Sequence, residues 1–477
     1  MYLKDFDVKI SGSHKIKVST KAWIIRISML IIVSFLVAYR LYQGAIFHNP
    51  SVIGSTIMPT ISILMLIGAW FLYRNPSKQT AIDSVENELI SVIIPIYNQI
   101  NIIMTVIDAV YRSNYKNIEV IAVNDGSTDG TKEILNQLTQ RYITLRVIHQ
   151  KRGGKRKAIA TGFYASKGQY LLHMDSDSII DENAITEIMK VFNANQNVGS
   201  IAGEVKIWNA NKNFITKMQD ALYNFSCNIN KSCESAFKSV TCCSGSLAAY
   251  RRDVMVNFMP CWADSNKHHS DDNEVDRAVK TSLIETKAAK NDLLVRLWPL
   301  RNLKRRLMES AIQYDDADDR LLTAQSLTKW DSVYVITAIA YVEAQDTWKC
   351  FIKQQIRWMK GYLRSNLYLG MYFWRKRHPF ISIVYYLDVI SCYAMPFALL
   401  TVLIYEPLAL KQVWTSLAFV GFVILSALAH GIDMKLRCPE SIVWKYMPLI
   451  NVFRIFVLSW LLPFALWNFR KNSWMTR

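Results

Sequence analysis

The 477-residue chain is 51% hydrophobic and 20% charged, with a formal net charge of +18. It is too long for one ordinary domain and too apolar to be disordered. A basic balance suits nucleic acid, an anionic membrane surface or anionic substrates, but no nucleic-acid-binding signature is present and the apolar ends favour the last two, so nucleic acid is excluded as a partner.

The N-terminal segment, 1–22, is polar and is followed by two spanning candidates, Ile24 to Phe47 and Val52 to Tyr73, within 23–74. Each is near the ~20 apolar residues that a bilayer requires. The run starts too late and is too long for a cleaved secretory signal, so it is expected to be retained. Lys15, Lys17 and Lys21 precede the first span, Arg74 and Lys78 follow the second, and the link at His48 to Ser51 has no Lys or Arg. The positive-inside rule then places the N-terminus and the next domain in the cytosol, in a multi-pass protein of the cell membrane.

A soluble α/β domain is expected over 85–345. "LISVIIPIY", "IEVIAVNDGS" and "QYLLHMDSDS" read as buried parallel strands ending in polar turns. Alternation with helices gives a doubly wound sheet, whose ligands bind outside the strand C-terminal ends. Within it, 262–310 reads as a basic insertion, either a solvated surface or a contact for anionic lipid or glycan. Segment 346–376 follows as interface helices. Two more spans, Phe380 to Tyr405 and Trp414 to Ile432, lie in 380–433. Segment 441–469 carries Lys445 and Arg454, which are costly in lipid, and reads as an interface helix or a fifth crossing. The eight cysteines form no paired CxxC pattern and are expected to be reduced.

Candidate chemistry follows the strands in order. Asp125, in "VNDGSTDGT", can accept hydrogen bonds from a base or ribose, with Gly126 making the turn; alone, it is an ordinary Asp-Gly turn. Tyr97 ends the first strand and can pack on a base or simply fill the rim. Lys155, in "KRGGKRKA", lies in a Gly-rich basic loop suited to phosphate. Asp175 and Asp177 stand two apart after the third strand and so share one side, a pair of hard oxygen ligands for Mg²⁺ or Mn²⁺. Asp318 and Asp319, in "YDDADDRLLT", offer a general base, or an N-cap for the helix that follows. Gln354, Arg357 and Trp358 share a helix face that could clamp pyrophosphate and stack on a sugar, or lie at a membrane interface.

Together these motifs resemble the processive glycosyltransferase family 2 synthases, which make hyaluronan, chitin, cellulose and poly-N-acetylglucosamine. Their pattern is a uridine-binding Asp, a DxD, an acidic tripeptide ending in the base, and Q-x-x-R-W. The likeness runs from Ile24 to the chain's end and is nearest to hyaluronan synthases. "GGKRKAIATGF" is similar to their phosphate loop, and "CCSGSLAAYRR" to the acceptor loop that would place Cys243, Ser244 and Gly245 near the growing chain. The terminal "SWMTR" resembles their gating motif, so that 470–477 would be a gating segment using Trp474, Thr476 and Arg477. The resemblance implies a GT-A (Rossmann-like) domain embedded between transmembrane helices, with amphipathic interface helices. It further implies UDP-GlcNAc and UDP-GlcA as donors, a divalent cation at Asp175 and Asp177, and export of the polysaccharide through the bilayer. Ala317 replaces a usual Gly, Met475 another, and Ser246 a usual Pro. A synthase using GlcNAc alone and a non-processive transferase acting on a lipid acceptor are the alternatives.

Overall fold

The computed structural model describes residues 20–46, 50–79, 88–263, 318–437 and 442–468. The basic insertion beyond Ala263 and the gating segment lie outside the described residues.

The centre is one eight-stranded mixed sheet. The strands are β1 (Ile90–Ile96), β2 (Ile118–Asp125), β3 (Leu145–Gln150), β4 (Tyr170–His173), β5 (Ile179–Ile180), β6 (Val198–Ile207), β7 (Ala248–Arg251) and β8 (Asp331–Val342), in the order β3-β2-β1-β4-β7-β6-β8-β5. β1 to β4 run parallel, and β7 enters antiparallel between β4 and β6. The apolar, β-branched β1 is buried at every position, as a strand covered on both faces must be. From β1 the chain turns one way to β2 and β3 and later the other way to β4. The expected crevice therefore opens where β1 and β4 end side by side.

Helices α1 (Thr20–Ile46) and α2 (Pro50–Phe71) precede the sheet. Helices α3 (Ile103–Tyr111), α4 (Thr131–Arg141), α5 (Lys155–Ala165) and α6 (Ala184–Ala194) connect its strands. Helix α7 (Phe214–Phe225) starts with a reciprocal capping box between Asn213 and Thr216 and runs into a π-helical turn at Ser226–Lys231. Short helices α8 (Ser232–Ala236), α9 (Arg252–Met255) and α10 (Met259–Ala263) flank β7. Then come α11 (Asp318–Leu327), α12 (Trp348–Leu369), α13 (Phe373–Lys376), α14 (Pro379–Leu400), α15 (Glu406–Ala409), α16 (Val413–Arg437), α17 (Met447–Phe456) and α18 (Leu461–Trp467).

Two cores sandwich the sheet. One joins Val92 and Ile94 to Ile107, Leu135 and Ile188. The other joins Ile93 and Leu171 to Ile159, Phe163 and Leu322 and continues into Leu66 and Trp70 of α2 and Met29 of α1. One face of the catalytic sheet and the apolar helices thus share a single core, each fully buried Leu or Ile adding roughly 1.5–3 kcal/mol. That core fixes the site relative to the helices.

Among the described residues, four stretches are long and apolar enough to cross a membrane: Trp23–Tyr42, Pro379–Ala409, Val413–Arg437 and Val443–Trp467. Ile24, Ile31, Ile32 and Phe35 of α1 point outward, as lipid-facing residues would. A buried charge cluster ties the helices together. Asp433 of α16 accepts from Arg26 of α1 at 3.0 Å, from the Trp70 indole of α2 at 2.6 Å and from Arg437 at 2.7 Å. An unpaired charge there would be costly, so all three donors belong to one carboxylate. The last apolar stretch is broken at Val457, between α17 and the 3₁₀ turn at Leu458–Trp460 that leads into α18.

Candidate active site

The strand ends gather the residues that the motifs singled out. Gly154 precedes α5 and Lys155 is its first residue, and Lys155 lines a pocket with Pro95 of β1 and His173 of β4. Its Nζ lies 2.7 Å from Asp175 Oδ1 and 3.9 Å from Asp319 Oδ1. Asp175 and Asp177 are both part-exposed with Ser176 buried between them, the shared side that their spacing predicts. Pro95, Lys155, His173, Asp175, Gly245, Tyr250 and Asp319 line one pocket.

Gly245 joins the two acids. Its N–H donates to Asp319 Oδ2 at 2.7 Å, and its carbonyl accepts the Asp175 N–H at 2.9 Å. A Cβ at this position would stand 2.9 and 3.0 Å from the Asp319 oxygens and 3.1 Å from Lys155 Nζ. Only a residue without a side chain permits that approach. The other acceptor-loop residues do different work. Cys243 is fully buried, its N–H donates to Thr323 Oγ1 at 2.9 Å, and its thiol faces Ser332. Its side chain is turned inward beneath α11. Ser244 accepts from the buried Lys231 of the π-helical turn at 2.8 Å.

Asp318 and Asp319 are the first two helical residues of α11. Asp319 does not act as an N-cap; its carboxylate reaches across to Gly245, and its carbonyl accepts from Thr323 at 2.7 Å.

Asp125 is the last residue of β2. It is buried, and its carboxylate accepts from Gln150 Nε2 at 2.7 Å, Gly153 N–H at 2.7 Å and Gly154 N–H at 2.8 Å. It thereby holds the basic loop. Gly126, at φ 73°, brings the turn so close that a Cβ would meet the Arg152 nitrogen at 2.9 Å. Arg152 in turn donates to the Tyr97 hydroxyl at 2.8 Å and covers its ring at 4.1 Å. Bonds to a charged acceptor are worth about 1.5–3 kcal/mol each, so Asp125→Asn, which loses acceptor capacity, is expected to raise the donor KM about tenfold or more. Steady-state UDP release against donor concentration checks this; an unchanged KM would show that the loop does not depend on that carboxylate.

Gln354, Arg357 and Trp358 lie on α12, whose start is capped by Thr347. Gln354 Oε1 is buried without a partner. Trp358 meets the edge of Tyr223 of α7, with ring centroids 5.8 Å apart and planes at 74°. Burial pushes the Tyr223 phenol up, with Cys227, Asp177 and Asp175 adding to the shift and Arg357 opposing it. Tyr223 thereby links the Asp-Ser-Asp turn to the Gln-x-x-Arg-Trp helix, a connection that nothing in its sequence surroundings signals. His173 was also missed. It is buried beneath the site, and burial with Lys155 nearby pushes it down to about 3, Asp175 opposing, so it is a neutral ring. Arg320 covers the Tyr362 ring of α12 at 5.0 Å and so couples α11 to α12. Cys227, Cys233, Cys242, Cys243, Cys350 and Cys392 are unbridged among the described residues.

A mixed sheet with acids at the ends of its parallel strands, a basic loop over them and a third carboxylate facing the pocket defines a GT-A sugar-nucleotide transferase. Residues 91–257 match the glycosyl transferase family 2 model, and the chain is a glycosyltransferase. Its likeness to relatives extends well beyond that domain. It is 24% identical over 461 residues to the hyaluronan synthase of Streptococcus pyogenes serotype M3, covering 94% of this chain and 97% of that one. It is 27% identical over 384 residues to hyaluronan synthase 1 of Xenopus tropicalis, covering 77% of this chain and 56% of that one. Among solved structures, a mannosyltransferase from Pyrobaculum calidifontis in complex with GDP-Man and Mn²⁺ superimposes with a TM-score of 0.49 at 14% identity, covering 92% of this chain and 99% of that one.

Proposed function

We propose that this chain is a membrane-embedded, processive, inverting synthase of hyaluronan type, joining sugars from UDP-GlcNAc and UDP-GlcA by β-linkages. The observation that carries the mechanism is the convergence of Asp175, Lys155 and Asp319 on Gly245. The observation that favours a hyaluronan-type product is similarity to streptococcal hyaluronan synthase along 94% of the chain, membrane segments included.

In this reading the acceptor hydroxyl gives its proton to Asp319 and its oxygen attacks the anomeric carbon of the donor. The bond to the UDP oxygen breaks on the opposite face, and UDP leaves with the electron pair. Single displacement converts an α-linked donor into a β-linked product. Lys155 and Arg357 take up the charge of the diphosphate, and Gln354, with its unpartnered oxygen, offers a hydrogen-bond acceptor to a sugar hydroxyl. Tyr97 and the loop held by Asp125 border the base and ribose. Trp358, partly exposed, presents a ring face for the acceptor sugar. Asp318 precedes the base in sequence as the other acid of the tripeptide.

Asp175 and Asp177 fit a divalent cation, Mg²⁺ or Mn²⁺. Both are part-exposed hard oxygen donors, and no cluster of three or more His, Cys, Asp or Glu ligands exists among the described residues, so the diphosphate itself would complete the shell. When bound, the cation would offset the charge developing on the leaving UDP. The positive-inside pattern supports a cytosolic catalytic domain, and the breaks in the last apolar stretch support an interface placement for it. The polymer would then leave through the apolar helices into which the catalytic core continues.

Donor-dependent UDP release by the purified chain in nanodiscs with Mn²⁺ tests the proposal. A long polymer only when both donors are present is the expected result. Full polymerisation from UDP-GlcNAc alone would replace the hyaluronan reading with a chitin-type synthase.

A further inference from the structure

We propose that Lys155 and the divalent cation compete for the same carboxylates, so that Lys155 closes the donor-free site and moves onto the diphosphate only when cation and donor arrive together. The inference rests on reading Asp175 and Asp177 as the cation's ligands.

Four observations lead to it. The ammonium of Lys155 is 2.7 Å from Asp175 Oδ1, a full charge-assisted contact with the first acid of the Asp-Ser-Asp turn. It is also 3.9 Å from Asp319 Oδ1, so one cationic group spans both the cation ligand and the base. Gly245 presses from the other side, with its Cβ position 3.1 Å from Lys155 Nζ, and holds both acids by its own backbone. The loop that carries Lys155 is pinned through Gly153 and Gly154 to the buried Asp125, so the lysine is delivered to this place by the fold.

The consequence is electrostatic exclusion. A carboxylate oxygen engaged by an ammonium at 2.7 Å is not free to bind Mg²⁺ or Mn²⁺ at about 2.1 Å in the same direction. Two cations a few ångströms apart also repel strongly in a half-buried site. A diphosphate supplies new anionic oxygens to which the lysine can transfer, releasing Asp175. Cation and nucleotide binding are thereby coupled, and the coupling is reciprocal. A neutral side chain at Lys155 removes the competitor.

The test is Mn²⁺ binding to the full chain in nanodiscs, followed by electron paramagnetic resonance of free Mn²⁺, with and without UDP. Wild type should bind Mn²⁺ weakly alone and more tightly with UDP. Lys155→Met should bind Mn²⁺ alone at least about tenfold more tightly than wild type, and UDP should add less to it. Lys155→Arg, which keeps the positive charge, should stay weak. A Lys155→Met affinity equal to or below wild type, with circular dichroism and Tm preserved, overturns the proposal. So does a wild-type affinity that UDP does not change, which needs no variant. Loss of the underlying reading looks different: Mn²⁺ binding in the presence of UDP would then survive Asp175→Asn with Asp177→Asn.

Discussion

Asp319→Asn is expected to lower kcat by about 10²–10⁴-fold, the range that a general base contributes, while UDP affinity stays within about twofold. The amide has the shape of the carboxylate, and its oxygen can still accept the Gly245 N–H that Asp319 Oδ2 now receives at 2.7 Å. It cannot take a proton from a sugar hydroxyl. The substitution also removes the 3.9 Å ion pair with Lys155, but Lys155 keeps its shorter contact with Asp175. The change should therefore fall on chemistry and spare binding. UDP release under saturating donors, paired with calorimetric titration of UDP, separates the two. A kcat within about threefold of wild type would remove Asp319 from the role of base and turn attention to Asp318.

The sequence announces the strands well, and the contacts between distant segments hardly at all. β1, β2 and β4 are largely apolar runs, and β2 and β4 lead into turn-forming acids, so both the strands and the side on which Asp175 and Asp177 stand were legible. The helical spacing of Gln354, Arg357 and Trp358 likewise gave α12 its functional face. What was not legible depends on β7 slipping in antiparallel beside β4, which sets Gly245 against Asp319, 74 residues further along. Local pattern carries no record of such a pairing. The same holds for Tyr223, which reaches Trp358 only because α7 packs near α12, and for Lys231, which holds Ser244 from a π-helical turn. Nor could local pattern show that two loop N–H groups and Gln150 donate to the Asp125 carboxylate. The same is true of Cys243, whose N–H meets Thr323 of α11, 80 residues further along.

Gly245→Ala should cost about 10²-fold in kcat, as expected when a reacting group is displaced by about an ångström, and it should do so without changing a single charged residue. The added methyl would stand 2.9 Å from one Asp319 oxygen, 3.0 Å from the other and 3.1 Å from Lys155 Nζ. A carbon that close to a carboxylate forces movement. The backbone of Gly245 has little freedom to yield, because its carbonyl is tied to the Asp175 N–H and its N–H to Asp319. Asp319 sits at the start of α11, whose Thr323 also grips the Cys243 N–H, so it is the carboxylate side chain that must turn away. That would break the Gly245 bond and lengthen the distance to Lys155 together. Stability should change less than activity, since the residues displaced line a pocket and not a core. Thermal unfolding alongside UDP release checks both halves. An alanine variant with wild-type kcat would show that the catalytic acid does not work from the position it occupies against Gly245, and that the base must swing elsewhere before the acceptor is deprotonated.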